Sequence, residues 1–376
     1  MARFCIVAHF AFGALQGGGT GHVGGVERQT TMLARWLAKR GHEVSLLTWN
    51  DGQPEDTVID GVRVIPMCGR SEGIPGLRFL TPRWTSLLKA VRKADADLYY
   101  FNAAEAATGQ LAMWCRRNGR KFVYSVANDL ECTRSLPRIK APQARLLYVH
   151  GVRHADVVIS QTDKQKRMLS LEFGRDSVVL PMPCAGPDDS EVTKANGRGG
   201  NRVLWAARLD PVKRFDVLLD VARQNPQLIF DVAAPIVWSR AYTESMLRDA
   251  AAIPNVVMHG RVAPERMPDL YRHSTVLCCT SDSEGFPNTF LEAWSWGVPV
   301  VSTVDPDGII ERNQLGLFVT KEKLSNALKD LCGDTERHRR LCRNARDYYV
   351  RNHQVDTAMS RFEQLFLQTI GKRERA

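Results

Sequence analysis

The sequence predicts an α/β protein made of two doubly wound domains, each a parallel sheet covered by helices on both faces. Three observations lead there. Short apolar runs alternate with amphipathic stretches along both halves of the chain, the pattern of a sheet buried on both sides. The alternation breaks once, over residues 181–201 (PMPCAGPDDSEVTKANGRGGN), where periodicity is lost and Pro, Gly, Asp and Asn collect as in an interdomain linker. The length of 376 residues exceeds one typical core and fits two domains of about 150–200 residues.

The elements follow in order. Residues 4–10 are a buried strand, 27–40 an amphipathic helix with Gly41 placed for its C-cap, and 43–48 the next strand. Further strands are expected at 62–66, 98–102, 122–126, 157–160 and 177–180, with helices such as 84–93 and 109–118 between them. After the break come strand 203–208, helix 215–224, strand 228–233, helix 242–251, strand 256–260 and helix 264–273. Strand 276–280, helix 288–296 and strand 299–303 complete the second series, and the chain ends in helices near 321–331, 335–351 and 355–370. The domains are therefore expected at 1–185 and 201–350, with a linker at 186–200. The last helix, within 351–376, is expected to pack back toward the first domain. Ligands of two such sheets bind in the crevice outside the carboxyl ends of the strands.

Composition narrows the class. Hydrophobic residues make up 44% and charged residues 24%, as in ordinary soluble proteins. No apolar run approaches the ~18–20 residues that cross a bilayer. Residues 1–15 resemble a short signal peptide, but His9 interrupts the apolar run and a glycine loop and helix follow, as after a first buried strand. Nine scattered cysteines, with no CxxC pair, fit a reducing compartment and argue against a disulfide framework or zinc site, so a cytoplasmic location is expected. The net charge of +10 is uneven, with 27 Lys/Arg against 19 Asp/Glu in residues 1–200. Residues 116–145 hold eight basic side chains and two acidic ones, a field suited to an anionic membrane surface, a polyphosphate lipid or nucleic acid. No nucleic-acid recognition element or paired aromatics accompany it, so nucleic acid is not expected as a partner.

The densest chemical signal lies in residues 256–319, where Glu284 and Glu292 form a Glu-x7-Glu pair. Glu284 follows a strand, Pro287 breaks any earlier helix, and Glu292 sits on the first turns of the next one. The turn Glu284-Gly285-Phe286-Pro287-Asn288-Thr289 thus presents backbone N–H groups and a positive dipole end, which suit a diphosphate and a sugar. A carboxylate one turn deeper accepts hydrogen bonds from both ribose hydroxyls. Thr289-x-x-Glu292 equally matches a capping box, in which Glu292 only satisfies its own helix.

This segment closely resembles the nucleotide-binding half of family 4 retaining glycosyltransferases. The matching residues are Gly260-Arg261-Val262, Tyr271 through Val276, Ser281 through Pro287, Leu291-Glu292-Ala293 and Gly297 through Val301. The resemblance implies the GT-B architecture, two Rossmann-like domains facing across a cleft. It implies that Glu292 binds the nucleotide ribose, and that Glu284 with the backbone of Gly285 to Asn288 holds the donor sugar and diphosphate.

Three further elements join it. Arg208 ends a strand and Lys213 stands near a helix start, two cations that neutralise a departing diphosphate. The family is similar here with G-R-L-x-x-x-K-G, although Ala207 and Arg214 stand where it has glycines. The loop 13–25 leads into Gly24-Gly25-Val26-Glu27-Arg28, similar to the family's G-G-x-E-R, with the backbone of Gly24 and Gly25 expected to close on the donor phosphate or acceptor. Within it Gly19 to Gly24 satisfies GxGxxG, but the preceding strand ends near Phe10, nine residues too early for a dinucleotide fingerprint. Asn128 in Ala127-Asn128-Asp129 and Asn102 in Phe101-Asn102 end strands where relatives often carry His. Each is expected to position substrate by hydrogen bonds, with Arg134 on the acceptor side.

Asp95-Ala96-Asp97 and Asp305-Pro306-Asp307 match the D-x-D string of metal-dependent transferases, but the Arg208/Lys213 pair supplies the charge a magnesium ion would. No metal or other cofactor is expected. The expected reaction is transfer of a sugar, with retention, from a nucleotide-diphosphate sugar to a sugar or lipid-linked acceptor. Rival readings are an isomerase or phosphorylase of the same fold and a non-catalytic nucleotide-sugar sensor.

Overall fold

The computed structural model describes residues 1–17, 24–74, 78–137, 139–196, 200–235 and 240–371. The glycine loop expected over 13–25 therefore falls outside the described residues from 18 to 23, as does Arg138 of the basic stretch.

Phe4 to Val7 are apolar without alternation, and the strand they build is buried on both faces. In chain order the first sheet holds Arg3–Val7 (β1), Glu43–Thr48 (β2), Val58–Ile59 (β3), Val62–Pro66 (β4), Leu98–Phe101 (β5), Lys121–Ser125 (β6), Val157–Ser160 (β7) and Val178–Val179 (β8). Its order is β3-β4-β2-β1-β5-β6-β7-β8, and all its pairs are parallel except β3 with β4. The second sheet holds Arg202–Ala206 (β9), Ile229–Ala233 (β10), Val256–Gly260 (β11), Val276–Cys279 (β12), Val300–Ser302 (β13) and Gly316–Phe318 (β14). It is wholly parallel, in the order β11-β10-β9-β12-β13-β14. Apart from the β3–β4 hairpin, the sequence order of the strands changes direction at one place in each sheet, between β1 and β5 in the first and between β9 and β12 in the second. Those two places are where doubly wound sheets bind ligands.

Contacts divide the chain into a first unit, Met1–Met182 with Ala358 onward, and a second, Pro183–Thr357. Each has its own apolar core. Two helices of the first unit, Ala106–Arg117 and Pro142–His154, cross with their backbones in contact. A Cβ on Gly109 would stand 2.2 Å from the carbonyl oxygen of Leu147, and one on Gly151 would stand 2.5 Å from Thr108.

Some expectations need correction. The stretch 181–201, expected to be irregular, carries the helix Asp189–Asn196. Asp189 and Glu191 lie in its first turn, where carboxylates favour a helix, and they also reach Arg346 at 2.8 Å and Arg272 at 3.1 Å within the second unit. The basic stretch 116–145 is not one patch. Arg116, Arg117, Arg120 and Lys121 lie at the amino end of β6, whereas Arg134, Lys140 and Arg145 lie beyond its carboxyl end. Arg120 is paired with Asp95 and Asp97, and Lys121 with Asp156 at 3.1 Å. The final helix, Val355–Gly371, begins in the second unit and packs on the first, with Phe366 5.7 Å from Phe4 and 5.5 Å from Tyr100. No helix of the described residues is long and apolar enough to cross a membrane.

Candidate active site

In the second unit the loop after β9 carries Arg208 and then turns over Pro211–Lys213, with the Asp210 carboxylate accepting from the Val212 N–H at 3.1 Å. Arg214 follows at φ 51°, where the family's glycine would be, and binds Asp216 at 2.7 Å. The turn is tied to β12 by Thr280, whose hydroxyl accepts from the Trp205 indole at 2.9 Å and donates to the Lys213 carbonyl at 2.6 Å. The N–H of Asp282 donates to Val212 at 2.9 Å. These bonds bring the Lys213 ammonium onto the Glu284 carboxylate, which also accepts from Ser281 at 2.7 Å. Both side chains of that pair are only 16% exposed, so the cation is held in place with limited solvent.

Arg208 is not part of the pair: its side chain is 58% exposed, with Asp210 3.9 Å away. The helix Asn288–Ser295 starts after Pro287 with no side chain capping it, and the Phe290 N–H turns back to the Pro287 carbonyl at 3.1 Å. Because the helix begins at Asn288, Thr289 stands inside it and not at its N-cap, so the frame of the capping box is not the one the helix uses. Glu292 accepts from the buried Tyr271 hydroxyl at 2.6 Å. Burial first, and then the Glu292 charge, push the Tyr271 phenol well above its usual value, so it stays a donor. Phe286 lies 5.7 Å from the His353 ring and 6.3 Å from Trp294, which fixes the turn Glu284 to Thr289 onto the last part of this unit.

The remaining expected site residues lie in the first unit. Gly24 precedes the helix Gly25–Lys39, and its N–H donates to Glu27 at 3.0 Å. Asn102 is buried beyond β5, its amide without a hydrogen-bond partner among the described residues, beside Val26, Glu27 and Thr30 in a small cavity. Asn128 and Arg134 are engaged within the first unit. The Asn128 amide accepts from Leu130 N–H at 3.1 Å and donates to Glu131 at 2.8 Å, so it stabilises its own turn. Arg134 donates through Nε to the Glu172 carbonyl at 2.5 Å, capping the end of the helix Asp163–Phe173.

Three carboxylates of the D-x-D strings are engaged by the chain itself. Asp95 and Asp97 bind Arg3 at 2.6 and 2.9 Å at the amino end of the sheet, and Asp305 accepts from Ile310 and Glu311 N–H at 2.8 and 3.2 Å. Among the described residues no cluster of three or more His, Cys, Asp or Glu could hold a metal ion.

Sequence reasoning missed one group. His9, just beyond β1, is stacked on Trp49 at 4.4 Å, and its Nδ1 lies 3.0 Å from Glu105 Oε2. Burial alone would raise the Glu105 carboxyl, but His9 and Arg83 hold it below its usual value. The one signal was His9 itself, a polar residue at the end of an apolar strand; its partner 96 positions on leaves no local trace.

Residues 24–185 match the glycosyl transferase 4-like domain and residues 189–348 the glycosyl transferases group 1 family. The D-inositol 3-phosphate glycosyltransferase of Rhodococcus erythropolis is 26% identical over 336 residues, 80% of this chain and 76% of that protein. The mannosylfructose-phosphate synthase of Agrobacterium fabrum is 25% identical, covering 76% of this chain and 72% of its own. Sucrose-phosphate synthase from Thermosynechococcus elongatus superposes with a TM-score of 0.78 at 18% identity, covering 99% of this chain and 100% of its own. Anabaena HepE, solved in complex with UDP, gives 0.75 at 18% identity over 97% of this chain and 100% of its own. The chain has the GT-B fold and belongs to the group 1 glycosyltransferases, with a glycosyl transferase 4-like domain in its amino-terminal half.

Proposed function

We propose that this enzyme transfers a sugar from a nucleotide-diphosphate donor to an acceptor hydroxyl with retention at the anomeric carbon and without a metal ion. The observation that carries this reading is the Lys213–Glu284 pair, fixed where the strand order of the second sheet reverses. Lys213 and the exposed Arg208 meet the diphosphate, and the uncapped start of the helix Asn288–Ser295 adds its dipole. Glu284 and the backbone from Gly285 to Asn288 hold the donor sugar and diphosphate, and Glu292 takes the ribose hydroxyls. As the bond from carbon to the diphosphate oxygen breaks, that oxygen accepts the proton of the attacking acceptor hydroxyl on the same face. The protein supplies orientation and a positive field rather than a covalent nucleophile. Gly24 and Gly25 close on a phosphate, and Asn102, with its unpaired amide, orients the acceptor. The basic first half of the chain favours an anionic or lipid-linked acceptor at the cytoplasmic face of a membrane, in the assembly of a polysaccharide or other glycoconjugate.

The test is turnover of Arg208→Ala and Lys213→Ala with the anomeric configuration of the product read by NMR. Each substitution lowers kcat about 10²–10³-fold, as loss of one fixed charge-stabilising donor does. Full activity persists in EDTA. Unchanged turnover in Arg208→Ala removes this account of leaving-group stabilisation, and an inverted product removes the same-face step.

A further inference from the structure

A cavity of about 450 Å³ lies wholly within the first unit, beyond the carboxyl ends of β1, β2, β4 and β5. That is the size of a small-molecule site, which spans about 300–1,000 Å³. Its charged lining is unbalanced: Arg70, Arg83 and Lys140 face a single carboxylate, Glu105, which His9 already engages. The two guanidinium groups are laid on rings, Arg70 4.9 Å from the centre of Phe10 and Arg83 5.4 Å from the centre of Trp49. An arginine stacked in this way keeps its charge while losing freedom, which prepares it for an anion.

Two N–H groups of the lining side chains make the point more sharply. The Trp49 indole Nε1 and the Arg83 Nε are both buried and have no hydrogen-bond partner among the described residues. Both groups only donate. Buried donors without partners are uncommon in folded proteins and signal a missing acceptor. Two of them on stacked neighbours, beside excess positive charge, call for an oxyanion. Much of the remaining wall is apolar: Phe79, Leu87, Ile139 and the methyl groups of Ala107 and Ala144 offer no hydrogen bonds from their side chains, and Gln110 and Gln143 add two amides. A bare polyol would leave hydroxyls unpaired against the apolar part of the wall.

We propose that this cavity binds the acceptor of the transfer reaction through a phosphate or carboxylate head on Arg70, Arg83 and Trp49, with an apolar body against the ring and aliphatic wall. The assignment rests on the glycosyltransferase reading above for the word acceptor, but the binding chemistry does not depend on it. Its chemical class is a small amphiphilic anion, whether free or the end of a lipid.

Titration calorimetry of the full chain tests this with octyl phosphate, octanoate, octyl glucoside, inorganic phosphate and a hexose 6-phosphate, alongside UDP, GDP and ADP. Octyl phosphate or octanoate binds at least about tenfold more tightly than octyl glucoside, inorganic phosphate or the hexose phosphate, a gap of about 1.4 kcal/mol. The double variant Arg70→Gln/Arg83→Gln loses that preference about tenfold while its nucleotide affinity is kept, which also reports that it folds. Equal binding of octyl glucoside overturns the anionic half of the proposal, and tighter binding of the hexose phosphate overturns the apolar half. Nucleotide binding without any binding of the octyl anions overturns this proposal alone. The reverse result overturns the donor-site reading and leaves the cavity assignment standing. Vesicles of phosphatidylglycerol that compete octyl phosphate off the chain identify a lipid source for the head group; octyl phosphate that stays bound identifies a free one.

Discussion

The hydroxyl of Thr280 donates to the main-chain carbonyl of Lys213 at 2.6 Å, across 67 residues of sequence. The bond fastens the turn that carries a proposed catalytic cation to the neighbouring strand of the sheet. Replacing Thr280 by Val keeps the shape and removes both this donor and the acceptor of the Trp205 indole. The expected outcome is a loss of stability of about 1–3 kcal/mol by urea denaturation. A fall in kcat of about 10²-fold accompanies it, since small misplacements of a positioned group are felt at the chemistry. Thr280→Ser restores most of both. Wild-type turnover in Thr280→Val would show that the position of Lys213 does not depend on this bond.

Tyr271 tests Glu292 without touching it. Its hydroxyl donates to that carboxylate at 2.6 Å. In Tyr271→Phe the carboxylate loses a fixed donor, and nucleotide affinity is expected to fall about five- to tenfold with kcat little changed, the pattern of lost uniform binding. A thermal-shift titration with the matching nucleotide reads it. A kcat defect with intact nucleotide affinity would place Glu292 elsewhere in the reaction.

The glycine contact of the first unit is a packing prediction. Gly109→Ala puts a methyl where a carbonyl oxygen already stands 2.2 Å away, and Gly151→Ala meets Thr108 at 2.5 Å. Each pushes the helices apart and is expected to destabilise by about 1–3 kcal/mol or more. Equal stability on urea denaturation would mean the two helices slide freely.

Acid stability follows from Asp97. Burial alone raises its carboxyl, but the side chain and backbone N–H of Arg3, with Arg120, outweigh that and hold it below the usual value of 3.8. A carboxylate depressed in the folded state contributes stability that is present above the unfolded value and is lost as the pH falls through the folded one. Stability measured by denaturant melts is therefore expected to decline below about pH 4, and Asp97→Asn flattens that decline while lowering stability near neutrality. An unchanged acid limb in Asp97→Asn would assign the decline to other carboxylates.

Much of this architecture was legible because it is local. Val62–Pro66, Phe215–Gln224 and Val256–Gly260 coincide with expectation to the residue, since each is a short periodic run between turn formers. The helices Pro142–His154 and Asp163–Phe173 were harder to see, because their buried faces are small and include polar residues such as Gln165. In the candidate site, Glu284, Glu292, Arg208 and Lys213 are singled out by the resemblance to family 4 glycosyltransferases, whose motifs lie within one loop or turn. The Thr280 bridge, the Tyr271 hydroxyl and the His9–Glu105 contact could not be found in this way, because each joins residues brought together only by the order of strands. The local bonds of Asn128 were equally hidden: its amide meets the backbone and carboxylate of its own turn, which its position at a strand end does not reveal.

The packing of Phe366 on Phe4 and Tyr100 has a consequence for how the molecule comes into being. The strand Arg3–Val7 is synthesised well before the helix Val355–Gly371, whose Phe366 covers Phe4 and Tyr100 of the first sheet. Until then a greasy strip of the early sheet stays open while the whole second unit is made. Truncation before that helix should leave a nascent species prone to self-association even though most of its sheet can already pair.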